Sequence, residues 1–251
     1  MFRVVIPARY ASTRLPGKPL LEIAGRPLLH WVIERARRCG ASEVVVATDD
    51  ERIRRSADDA GADVQMTAAT HASGTDRIAE VATLRGWADD DIVVNVQGDE
   101  PLMEPELVRQ VAMLLAADVE AHIATLCAPI TDLEAFLDPN VVKVVTDASG
   151  RALYFSRAPV PWVRDGALGG AGSQRSFAGA RRHIGLYAYR VVALKRLARF
   201  AVSPLEHLEK LEQLRALENG LMLRVADAAI TPGPDVNTPA DLARVAELLV
   251  P

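Results

Sequence analysis

Arg9, Arg14 and Lys18 follow directly on the apolar run Val4 to Ile6, on a stretch stiffened by Pro16 and Pro19. Guanidinium forks, an ammonium and backbone N–H groups gathered on one loop suit a multiply charged anion, and a triphosphate presents several oxygens at once. The stretch matches neither G-x-x-x-x-G-K-[ST] nor G-x-G-x-x-G, so by itself it also fits a solvated surface loop. A second focus is Gln97-Gly98-Asp99-Glu100-Pro101, reached at the end of the apolar run Asp91 to Val96. Asp99 stands one glycine beyond a buried strand, where its carboxylate can be aimed at a ligand above a sheet. Magnesium takes one or two carboxylates together with phosphate oxygens and water, which makes Asp235 in Gly233-Pro234-Asp235 the candidate second ligand. Asp99 and Asp235 also suit turns or caps, where aspartate is common.

Four further polar residues carry less signal alone. Arg157 follows Tyr154-Phe155-Ser156 and His183 follows Arg181-Arg182, each on a strand-like stretch where a packing role is equally natural. Glu212 and Gln213 lie in an apolar-periodic segment, where residues of a solvated helix face are expected.

The elements that must position these residues alternate. A helical stripe runs from Pro27 to Arg38, a short strand from Glu43 to Ala47, a helix from Glu51 to Ala60 and a weak strand from Val64 to Met66. His71 to Asp76 reads as a turn before a helix from Arg77 to Arg85, and Asp91 to Val96 as a central strand. Pro7 is expected to end the first strand. The order βαβα predicts an open, mostly parallel α/β sheet with helices on both faces, in which ligands bind beyond the carboxyl ends of the strands. Arg9 to Lys18, Thr48 to Asp50 and Gln97 to Glu100 all follow predicted strands and are expected to converge.

From about His122 the strand-like stretches Ile123 to Ile130, Val141 to Thr146 and Ala152 to Phe155 lack long helices between them, predicting a smaller antiparallel extension. Gly166 to Gly179 reads as a mobile loop, Arg182 to Tyr189 as a strand and Pro204 to Asn219 as a helix. Leu223 to Ala226 is a short strand, and Pro239 to Leu249 a final helix.

The 251 residues are 49% hydrophobic and 25% charged with a net charge of −4, enough to bury a full core and unsuited to coating nucleic acid. Only four of the 29 basic residues are lysines, so Lys18 in the opening loop stands out. Cys39 and Cys127 follow no metal or redox spacing. No apolar run reaches the roughly 18 residues of a membrane span, and the N-terminus lacks a signal-like pattern, so a soluble, cytoplasmic protein is expected.

Taken together, Ile6 to Leu20, His71-Ala72-Ser73-Gly74-Thr75-Asp76-Arg77, Asn95 to Pro101, Tyr154 to Arg157, Arg182 to Tyr187 and Glu206 to Arg215 closely resemble the 3-deoxy-manno-octulosonate (KDO) cytidylyltransferases, in order and over essentially the whole chain. The resemblance implies one nucleotidyltransferase domain over 1–251, with 1–120 mainly nucleotide-binding and about 130–200 an extension for sugar binding and dimerisation. It implies CTP and KDO as substrates, CMP-KDO and pyrophosphate as products, Mg2+ as cofactor, a homodimer and a place in lipopolysaccharide biosynthesis. Carried over residue by residue, it gives Lys18, Asp99 and Asp235 catalytic roles, the two aspartates as metal ligands. Ala8, Arg9, Ala11, Ser12, Arg14, Lys18, Ser73, Gly74, Thr75 and Arg77 would bind the nucleotide, and Gln97, Arg157, His183, Glu212 and Gln213 the sugar. A related enzyme for another acid sugar, a non-catalytic nucleotide-binding protein and a nucleotide-sugar glycosyltransferase are the competing readings.

Overall fold

Val4, Val5 and Ile6 are fully buried, as a continuous apolar run requires when both faces of its strand are covered. The computed structural model describes residues 1–11, 15–167, 169–236 and 238–249. In chain order the strands are β1 (Phe2–Ala8), β2 (Glu22–Ile23), β3 (Arg26–Pro27), β4 (Glu43–Thr48), β5 (Asp63–Met66), β6 (Ile92–Asn95), β7 (Ile123–Pro129), β8 (Lys143–Thr146), β9 (Ala152–Ser156), β10 (Arg181–Arg190) and β11 (Leu223–Asp227). The helices are α1 (Leu28–Arg37), α2 (Glu51–Asp59), α3 (Gly74–Leu84), α4 (Pro105–Ala117), α5 (Leu133–Leu137), α6 (Val191–Leu197), α7 (Pro204–Glu209), α8 (Glu212–Glu218) and α9 (Pro239–Leu249).

The main sheet has the order β11-β7-β10-β6-β1-β4-β5. β6, β1, β4 and β5 pair in parallel, β11 pairs in parallel with β7, and β10 runs antiparallel between β6 and β7. Alternation along β1 sends Val4 and Ile6 into the core shared with α1, α2 and α4, and Val5 into the core shared with α3, α6 and α8. The antiparallel extension is the β8–β9 hairpin, joined to the amino-terminal end of β10 through Arg182 and Lys143. β7 and β10 belong to the main sheet, so part of the stretch after His122 lies at the centre of the molecule.

Several sequence expectations shift. β1 continues through Pro7 to Ala8, which pair with Ala47 and Thr48. Pairing with β6 stops at Val5 and Asn95, and it is to this unpaired side that residue 7 turns its main chain, so the missing N–H of Pro7 is tolerated. α3 begins at Gly74 inside the expected turn, because Ser73 and Asp76 form a capping box there. The expected helix from Pro204 to Asn219 is broken into α7 and α8 at Lys210, whose φ of 54° is left-handed. Leucines spaced every three residues drift around a helix of 3.6 residues per turn, and the break lets Leu211 and Leu214 be buried while Leu208 stays exposed. In the segment from Gly166 to Gly179, the described residues fold around Gln174, fully buried, whose Oε1 accepts from the N–H groups of Arg175 and Ser176 at 3.0 Å each.

Gly98 lies close against the end of β1: a Cβ there would lie 3.1 Å from the Pro7 carbonyl oxygen. Gly98→Ala forces the β6 turn away from β1 and is expected to cost about 1–3 kcal/mol, lowering Tm by several degrees in a calorimetric scan.

Candidate active site

The loops leaving β1, β4 and β6 meet at the carboxyl edge of adjacent parallel strands, as the sequence implies. Gly17, with φ 69°, donates its N–H to the Tyr10 carbonyl at 2.9 Å and closes the loop on Lys18. The Tyr10 ring lies under the Arg52 guanidinium at 3.3 Å, and Arg52 is gripped by Asp50 through two contacts of 3.0 and 2.7 Å. Asp50 also caps α2, so the first turn of that helix anchors the loop.

Lys18 turns inward. Its Nζ donates to Asp99 Oδ2 at 2.6 Å and to the Val236 carbonyl at 2.8 Å. The Val236 N–H donates in turn to the Asp99 carbonyl at 3.0 Å, which brings the Asp235 segment to the end of β6. Asp99, Glu100 and Asp235 thus crowd one place. Glu100 Oε2 is buried with no hydrogen-bond partner, and burial first, then the charges of Asp99 and Asp235, push its carboxyl up to about 8.

This donor set fits a hard divalent cation. It is all oxygen, and the Lys18 ammonium already rests on one of its oxygens. Among the described residues no group of three or more His, Cys, Asp or Glu side chains is arranged to hold a metal alone, so phosphate oxygens and water must complete any shell.

Of the expected nucleotide residues, Ala8 is buried at the end of β1, while Arg9 and Ala11 are exposed. Ser12 and Arg14 lie outside the described residues. Ser73, Gly74 and Thr75 form the start of α3, packed on Pro7 at the Gly74 backbone. Arg77 is buried, bonded to Thr67 Oγ1 and paired with Asp49 at 3.3 Å. It ties α3 to the residues that follow β4 and β5.

Of the expected sugar residues, Gln97 is half-buried beside Asp99. Glu212, at the start of α8, reaches across to α3 and accepts the Thr75 hydroxyl at 2.6 Å on Oε2, while its buried Oε1 has no hydrogen-bond partner. Burial raises the Glu212 carboxyl, opposed by hydrogen bonds from Thr75 and Ser73. Glu212 and Gln213 line a small cavity of about 20 Å³ with Tyr187 and Tyr189. His183 packs between Phe155 and Tyr187, with ring centroids 5.0 and 5.2 Å away, and its Nε2 meets Thr125 Oγ1 at 2.9 Å. Arg157 is held by carbonyls, Nε to that of Glu209 at 2.6 Å and an Nη to that of Pro139 at 2.8 Å. Its guanidinium makes no ion pair among the described residues, so its charge is uncompensated by contact.

Sequence reasoning did not single out Glu100, the Tyr10–Arg52–Asp50 latch, Glu209 or the buried Lys143. Only Glu100 had a local signal, in its place beside Asp99.

A carboxyl-edge site with an anion loop, paired aspartates and a second polar wall is the arrangement of a nucleotidyltransferase. Residues 3–225 match the family model described as Cytidylyltransferase. The chain is 56% identical to a curated 3-deoxy-manno-octulosonate cytidylyltransferase of Thioalkalivibrio sulfidiphilus (strain HL-EbGR7), covering 99% of this chain and 98% of the relative. It is 53% identical to one of Methylococcus capsulatus (strain ATCC 33009 / NCIMB 11132 / Bath), over 97% and 95%. A solved structure of CMP:2-keto-3-deoxy-manno-octonic acid synthetase complexed with CTP superposes with a TM-score of 0.89 at 41% identity, covering 99% of this chain and 98% of that one. A cytidylyltransferase from Leptospira borgpetersenii serovar Hardjo-bovis (strain JB197), 18% identical with a TM-score of 0.62 over 97% and 84%, shares the fold. The chain belongs to the 3-deoxy-manno-octulosonate cytidylyltransferase family.

Burial lowers the His183 imidazole from 6.5 to about 3. Below pH 6.5 the unfolded chain takes up a proton that the folded ring refuses, so stability falls as pH drops from 6.5 towards 3. His183→Gln removes that component, and urea melts across this window should show a shallower acid-side decline than the wild type.

Proposed function

We propose that the chain transfers CMP from CTP to the anomeric hydroxyl of 3-deoxy-D-manno-octulosonate, releasing pyrophosphate. The observation that carries this reading is Lys18 seated on Asp99 beside Asp235, at the carboxyl edge of β1 and β6. Backbone N–H groups from Ala8 to Ser12, with Arg9 and Arg14, would bind the triphosphate. Lys18 would leave Asp99 for the phosphates and follow the pyrophosphate as its charge develops. Asp99 and Asp235 would hold the metal, in this reading Mg2+, which when bound neutralises phosphate charge and lowers the pKa of the attacking hydroxyl.

Ser73, Gly74 and Thr75 would meet the cytosine, with Arg77 bracing their loop. Arg157 would take the sugar carboxylate, since its guanidinium is oriented by carbonyls and neutralised by none. Gln97, Glu212, Gln213 and the neutral ring of His183 would read hydroxyls, with Glu212 lying between the base loop and the sugar wall. The sugar oxygen forms a bond to the α-phosphorus as the bond to the β-phosphate oxygen breaks, and the hydroxyl proton passes to solvent. No residue is assigned as general base.

No helix of the described residues is long and apolar enough to cross a membrane. The reading places the enzyme in the cytoplasm, supplying activated sugar for lipopolysaccharide biosynthesis. It also makes the protein a homodimer through the region from about 130 to 200, where Leu137, Leu153 and Trp162 are 42%, 60% and 42% exposed. Light scattering on the eluting gel-filtration peak is expected to give twice the chain mass, and a monomer mass would remove the dimer from the account.

Purified protein with CTP, KDO and Mg2+ is expected to release pyrophosphate, and chelation to stop it. No release with KDO would sink the reading. Asp99→Asn and Asp235→Asn are each expected to lower kcat by on the order of a hundredfold or more, corresponding to about 3 kcal/mol, with an unchanged melting profile.

A further inference from the structure

Glu209, the last residue of α7, is a hub that the reaction as described does not use. Its Oε1 accepts from Ser156 Oγ at 2.7 Å and from the Tyr154 hydroxyl at 3.4 Å, and its Oε2 accepts the Arg157 N–H at 2.8 Å. Its carbonyl accepts Arg157 Nε at 2.6 Å. One residue of α7 therefore fixes the end of β9 through side chain and main chain together.

The pairing is unusual in what it avoids. A glutamate beside an arginine ordinarily binds the guanidinium fork. Here the carboxylate is spent on an amide and two hydroxyls, and no ion pair forms between Glu209 and Arg157. The nearby Lys143 is fully buried, and its Nζ donates to the Asp138 carbonyl at 2.8 Å. Consecutive carbonyls, those of Asp138 and Pro139, thus hold Lys143 and Arg157, and neither cation makes an ion pair among the described residues. Lys143 is shut off from any ligand and feels the Asp138 and Glu209 carboxylates, so of the two only the half-buried Arg157 is left to meet a ligand anion. Immediately after Glu209 the left-handed Lys210 turns the chain into α8, so the same corner also sets the position of Glu212.

We propose that Glu209 is a positioning residue for the acid sugar: it locks the Ser156–Arg157 strand end so that the Arg157 guanidinium is presented to the substrate carboxylate without being neutralised. This rests on the reading that Arg157 meets that carboxylate. Glu209 itself touches no substrate. Removing its carboxylate leaves the Arg157 amide and the Ser156 hydroxyl without their acceptor, so the strand end that carries Arg157 loosens while the Glu209 and Pro139 carbonyls still touch the guanidinium.

The test combines kinetics with amide exchange on Glu209→Ala and Glu209→Gln. At saturating CTP, Glu209→Ala is expected to raise KM for KDO by on the order of tenfold or more while KM for CTP stays within about twofold. Glu209→Gln, which keeps one acceptor oxygen, should recover much of the loss. In the ligand-free protein, hydrogen exchange at the Arg157 amide should be faster by about tenfold or more in Glu209→Ala, with exchange in β1 and β6 unchanged. An unchanged KM for KDO, an equal rise in both KM values, or unchanged exchange at Arg157 would overturn the proposal. Absence of pyrophosphate release by the wild type would overturn the reaction reading instead, and the exchange measurement would still decide whether the lock exists.

Discussion

The contact between the Lys18 ammonium and Asp99 is the constraint on which the rest of the site depends. It joins the loop after β1 to the turn after β6, and through the Val236 carbonyl it draws the Asp235 segment to the same place. Without a cation the carboxylates of Asp99 and Asp235 repel that of Glu100, which is raised first by its burial and then by their charges. The sheet makes the crowding possible. Parallel pairing of β6, β1 and β4 aligns their carboxyl ends, and Gly98 lets the β6 turn press against the Pro7 carbonyl.

The opposite wall follows a different logic. On the β1 side Lys18 is paired with Asp99, whereas Arg157 and Lys143 are held by carbonyls and make no ion pair among the described residues. The two walls touch through Glu212, which reaches from α8 to accept the Thr75 hydroxyl at the start of α3. That contact puts the candidate base loop and the candidate sugar wall in one hydrogen-bonded unit, a physical route by which occupancy of one could be felt at the other.

Much of this was legible in the sequence because it depends on short-range pattern. The unbroken apolar run in β1, the βα alternation and the polar residues after each strand were enough to place Lys18, Asp99 and the Thr48–Asp50 corner on one edge. Asp49 and Asp50 then proved to be braces, one for Arg77 and the other for Arg52. What the pattern could not carry were pairings across long stretches of chain. Glu209 looks like any helix residue until Arg157 at the end of β9, 52 residues earlier, is laid against it. Lys143 falls in a strand-like stretch with nothing to mark it as buried, and the hairpin packing shows that it is. The break at Lys210 was hidden for another reason: evenly spaced leucines satisfy a helical template over the whole stretch, and the left-handed turn that re-phases them leaves no mark in composition. The resemblance added what periodicity could not, an expected role for Arg157 toward the sugar carboxylate.

If the ammonium of Lys18 and a divalent cation are alternative partners of Asp99, removing the ammonium must free the carboxylate for metal. Calorimetric titration of Mg2+ into nucleotide-free protein, wild type against Lys18→Met, measures this directly. The account requires Lys18→Met to bind Mg2+ more tightly than the wild type while binding CTP more weakly. Equal or weaker Mg2+ binding by the variant would contradict it.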